Sequence, residues 1–66
     1  MNMDLLEAKI NESGYKREYI AAQLGLSRFG LLDKMKNPER WKITETKVIV
    51  KLLKLSRAEA KEIFGY

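Results

Sequence analysis

The stretch from Lys16 to Met35 restricts the fold of this chain more than any other. Ile20, Ala21 and Leu24 fall at i, i+1 and i+4, which makes one inward stripe of a helix. Gly25 follows directly, where a helix commonly ends in a left-handed residue that glycine adopts at least cost. Ser27 then offers a hydroxyl to the free N–H groups of a new first turn. Leu31 and Met35, four apart, supply the inward side of that second helix, and the small Ala21 lets the two helices approach closely. The segment therefore predicts two short helices clasped across a glycine bend.

The rest of the chain continues the helical pattern. Met3 to Ser13 reads as a helix capped by Asn2, with Asp4 and Glu7 near its positive end, Leu6 and Ile10 on one face, and Gly14 as its stop. Tyr15 is expected to pack at the junction before a second helix that starts at Lys16 or Arg17. A third helix runs from Arg28 to about Lys36 and breaks at Asn37-Pro38. Residues 37–43 form the one real loop, with Trp41 and Ile43 tucked inward and Arg40 and Lys42 outward. Thr44 is expected to cap a fourth helix from Glu45 to about Leu53, burying Val48, Ile49, Leu52 and Leu53. Along it Lys47, Lys51 and Lys54 recur at spacings of four and three, a basic stripe beside the apolar one. Ser56-Arg57-Ala58-Glu59 is a capping box for a fifth helix that buries Ile63 and Phe64. Phe64 and Tyr66 could equally close a homodimer. The expected fold is all-α: one domain over residues 1–66, a compact bundle of about five short helices containing a helix-turn-helix.

The run Ile20-Ala21, two residues, Leu24-Gly25-Leu26-Ser27, three residues, Leu31 resembles the corresponding run of the lambda-repressor and Cro class of phage regulators. Trp41-Lys42-Ile43-Thr44, the helical run after it, and Leu55-Ser56 before a short last helix are similar to the second half of that family. The resemblance implies a regulator that acts in a phage or prophage genetic switch in the bacterial cytoplasm. It also implies that DNA contacts come from the start of helix two, the outward residues of helix three and the loop after it.

Composition removes most other classes. There is no cysteine, so disulfides and thiolate metal sites are excluded, and no histidine, the usual general base and metal ligand. Ser13, Ser27 and Ser56 consequently have no base to activate them, and Gly25 and Gly30 lack the rest of a phosphate-loop pattern. No enzyme, cofactor, metal or small-molecule substrate is expected. No apolar run approaches the roughly 18 residues of a membrane span, and the N-terminus lacks a secretory pattern. Net charge is +4, which permits a nucleic-acid partner without demanding one. The surplus is local. Residues 28–54 carry Arg28, Lys34, Lys36, Arg40, Lys42, Lys47, Lys51 and Lys54 against Asp33, Glu39 and Glu45, a balance of +5, whereas residues 1–27 balance at −1.

Two functions fit this pattern. In the first, helix three enters the major groove of operator DNA. Placing Leu31 inward turns Phe29, Asp33 and Lys36 outward, with Leu32 at the edge and Arg28 and Lys34 on opposite flanks. Lys16, Arg17, Asn37, Arg40 and Lys42 are then placed to hold phosphates, Ser27, Arg28 and Lys36 belong to the same DNA-binding face, and Phe29 is placed for a thymine methyl and Asp33 for a cytosine amine. Yet the resembled family usually shows small polar residues where this chain has Phe29 and Gly30, and basic or amide residues where it has Leu32 and Asp33. Gly30 costs roughly 1 kcal/mol in a helix relative to alanine, which points either to a close backbone approach or to simple tolerance. In the second function the same helix docks on protein. Phe29 and Leu32 form an apolar centre, and Arg28, Asp33 and Lys36 a charged rim, suited to a phage repressor whose DNA binding it blocks or alters. Short modulators of repression (antirepressors) in temperate phages look like this second case.

Overall fold

A computed structural model describes residues 1–65. It is all-helical over those residues: α1 (Met3–Ser13), α2 (Arg17–Gln23), α3 (Arg28–Lys36), α4 (Ile43–Leu52) and α5 (Arg57–Phe64), with a single 3-10 turn at Pro38–Arg40 between α3 and α4. The helices pack into a body of 27 × 25 × 20 Å. Tyr66, one half of the expected dimer contact, lies outside the described residues, and Phe64 is buried in the core.

Leu6 and Ile10 of α1, Ile20 and Ala21 of α2, Leu31 of α3, Trp41, Ile49 of α4, Leu55, and Ile63 and Phe64 of α5 are buried together. Each helix thus contributes one or two side chains to a single thin core, as a chain this short must. Trp41 meets Phe64 edge-to-face at 5.4 Å between ring centres, a favoured geometry for aromatic pairs. α1 and α5 are clasped at two points. The Asn2 N–H donates to the Ile63 carbonyl at 2.9 Å, and Lys9 is ion-paired with Glu59.

The helix ends follow their local chemistry. The Asn2 side chain accepts from the Leu5 N–H, Ser27 from the Gly30 N–H, and Ser56 from the Glu59 N–H. At the end of α2, Gly25 has φ 72°. Its N–H donates to the Ala22 carbonyl and that of Leu26 to the Ala21 carbonyl, the paired bonds of a Schellman ending. The same pair closes α4: Lys54 N–H to Lys51 and Leu55 N–H to Val50. There a lysine, Lys54, occupies the left-handed position with φ 53°.

Several expectations fail in detail. α4 starts at Ile43 with Lys42 as its cap residue, not after Thr44. The cause is Glu45, whose carboxylate accepts from the Lys42 N–H at 2.9 Å. Ile43 sits on the first turn facing solvent, 62% exposed, and Val48 is 37% exposed instead of buried. Their inward places are taken by Glu45 and Thr46. Thr46 can be buried because its hydroxyl donates to the Ile43 carbonyl at 2.8 Å. Tyr15 does not fill the junction; it is exposed and stacks on Tyr19 at 5.1 Å. At Gly30 no backbone approaches closely. A Cβ there would meet the Leu26 side chain at 3.3 Å.

Candidate functional site

The α2–turn–α3 unit fixes the site. The Gly25 ending reverses the chain within a few residues, so Ile20 and Ala21 cover Leu31 and the opposite side of α3 is left open. Phe29 is 80% exposed and Leu32 49%. Both line a groove of about 590 Å³, with Leu31 and Met35 of α3, Met3, Asp4 and Glu7 of α1, and Arg17, Arg28 and Lys36 around them. The groove thus has an apolar floor and a rim of mixed charge.

The rim is already partly neutralised. Arg17 donates to the Glu7 carboxylate at 3.1 Å and to the Asn11 side chain at 3.3 Å. Arg28 pairs with Glu18 at 3.3 Å. Among the described residues Lys36 pairs with no carboxylate. The groove therefore brings together Arg17, Arg28, Phe29, Leu32 and Lys36 from the expected site. It adds Met3, Asp4 and Glu7 of α1, which no sequence motif marks.

Asp33, Asn37 and Arg40 form a separate cluster at the end of α3. The Asn37 side-chain amide donates to the Asp33 carboxylate at 3.0 Å and to the Asp33 carbonyl at 3.1 Å. Arg40 donates to the other Asp33 oxygen at 2.8 Å. These groups close the α3 C-terminus and fasten the 3-10 turn to it. Ser27 is spent on its cap, and Lys16 and Lys42 are exposed at the starts of α2 and α4.

Beneath this cluster Lys34 is not on an open flank. Its ammonium lies 2.9 Å from the Glu45 carboxylate, the two side chains only 11% and 10% exposed, and also donates to the Arg40 carbonyl at 2.9 Å. Burial alone would push the Glu45 carboxyl up. The Lys42 N–H and the Lys34 ammonium outweigh it and hold the group below its ordinary value. This bridge ties α3, the 3-10 turn and α4 into one support behind the groove.

No protein-family model, curated protein or solved structure gives a match to this chain.

Proposed function

We propose that the chain is a small regulator of a phage-type genetic switch, with α2 and α3 as a helix-turn-helix. In this account the α3 face docks on the DNA-binding domain of a repressor protein and alters its grip on DNA. The observation that supports this most is the exposed Phe29 and Leu32 at the mouth of the α1–α3 groove. Burying a phenylalanine or leucine side chain contributes about 1.5–3 kcal/mol. An aromatic anchor within a charged rim is the usual composition of an energetic centre in protein–protein contacts. The rim complements a protein surface better than a polyanion. Asp4 and Glu7 line the groove, and Arg17 and Arg28 already hold carboxylates. A helix reading bases needs free donors and a positive field.

Operator DNA remains a second reading, favoured by one observation. Lys16, Lys36 and Lys42 are exposed near the ends of α2, α3 and α4, and none forms an ion pair among the described residues. Under that reading Arg17, Arg28 and Arg40 must leave their carboxylates to reach phosphate, and Asp33 must leave Arg40 and Asn37 to reach a base.

Titration of the purified chain against the repressor's DNA-binding domain and, separately, against operator duplex distinguishes the two. The protein-docking account expects a complex with the repressor domain that persists from 50 to 200 mM salt. Binding to duplex alone, falling steeply over that range, would replace it with the DNA reading.

A further inference from the structure

On α3 the unpaired part of the positive surplus of residues 28–54 is reduced to Lys36. Arg28, Lys34 and Arg40 are paired with Glu18, Glu45 and Asp33. Among the described residues Lys47, Lys51 and Lys54 pair with no carboxylate, and all three are exposed along α4 and its left-handed end. Lys47 and Lys51 lie one turn apart, where like charges oppose the helix. Beside Lys51 and Lys54 is a shallow depression of about 390 Å³, lined also by Tyr15, Gln23, Val48 and Leu52. It contains no acidic residue. Tyr15 is exposed there and steadied by its stack on Tyr19.

We infer that the depression and the lysine row of α4 form a binding surface for single-stranded nucleic acid, with a base against Tyr15 and phosphates along Lys47, Lys51 and Lys54. A ring beside a row of unneutralised ammonium groups is the arrangement by which proteins hold unpaired strands: bases stack on aromatics and the backbone follows the charge. The ring is what favours a single strand over a duplex, whose bases already stack on one another and offer no free face. The surface is separate from the α3 groove and shares no residue with it, so it does not rest on the repressor-docking account.

Fluorescence anisotropy with a labelled oligothymidylate of about 15 nucleotides and a mixed-sequence duplex of equal length tests this. The single strand should bind more tightly than the duplex. Three phosphate contacts should weaken its binding about 20-fold between 50 and 200 mM salt. Tyr15→Ala should cost about fivefold or more and Tyr15→Phe little, since the ring carries the stack. Replacing Lys47, Lys51 and Lys54 together by glutamine should remove most of the salt dependence. Phe29→Ala should bind the strand as the unaltered chain does, even if the α3 account fails. Helical circular dichroism checks that each variant is folded. Duplex bound as tightly as single strand, or folded Tyr15→Ala bound unchanged, would overturn the inference.

Discussion

Replacing Gly25 by alanine isolates the conformational cost of the bend that carries the site. Its φ of 72° lies in the left-handed region, yet a Cβ built there meets nothing within 4 Å. Steric crowding therefore adds nothing, and the cost is the backbone preference alone. Left-handed backbone costs an alanine roughly 1–2 kcal/mol. Losing glycine's freedom in the unfolded chain returns about 0.4–1 kcal/mol. The net is a loss of about 1 kcal/mol, or about 4–8 °C in Tm for a domain this small. Lys54 occupies the equivalent position at the end of α4 with φ 53°, so Lys54→Gly should act in the opposite direction, stabilising by roughly 0.5 kcal/mol. Thermal unfolding followed by far-UV circular dichroism and by fluorescence of the single tryptophan, Trp41, reads both. An unchanged Tm for Gly25→Ala, or a lowered one for Lys54→Gly, would refute the assignment of these two turns.

Removing one partner of the buried Lys34–Glu45 bridge should cost more than any surface charge change. Lys34→Met leaves the Glu45 carboxylate with the Lys42 N–H alone and should destabilise by about 2–3 kcal/mol in urea unfolding, while Lys34→Met with Glu45→Leu should recover most of the loss. The Glu59 carboxyl is held down to about 2, chiefly by Lys9 and then by the Ser56 N–H. A carboxyl depressed on folding contributes stability that is complete above its unfolded value, near 4.5, and is lost as pH falls from there toward 2. Glu59→Gln should therefore flatten the decline of Tm with pH across that window. Lys9 is raised above 10.5, chiefly by its hydrogen bond to Glu59. Its share is present below that value and disappears as pH rises through the higher folded value.

The helical framework was legible because the chain punctuates it locally. Asn2, Ser27 and Ser56 all cap as their positions suggest, and Gly14, Gly25 and Gly65 take left-handed φ at helix ends. The failures cluster where a polar side chain is satisfied by a partner distant in sequence or hidden in the backbone. Glu45 and Thr46 look like surface residues by type. They are buried because Lys34, the Lys42 N–H and the Ile43 carbonyl satisfy them, which displaces Ile43 and Val48 outward. On α3, the inward Leu31 and outward Phe29 followed from helical spacing alone. That Arg17, Arg28 and Arg40 face carboxylates did not, because Glu7, Glu18 and Asp33 belong to other turns whose approach only the packed structure sets. The α1 wall of the groove was invisible for the same reason: nothing local couples Met3 to Phe29.

Calorimetric titration of the repressor's DNA-binding domain with the unaltered chain and with Phe29→Ala bears on the docking account most directly. Phe29 makes little use of its ring within the chain, so its removal should leave Tm nearly unchanged. As the apolar anchor of the contact it should cost about 2 kcal/mol of binding, roughly a 30-fold rise in Kd. Equal affinity for the two proteins, at equal stability, would contradict the claim that the α3 face is where the partner docks.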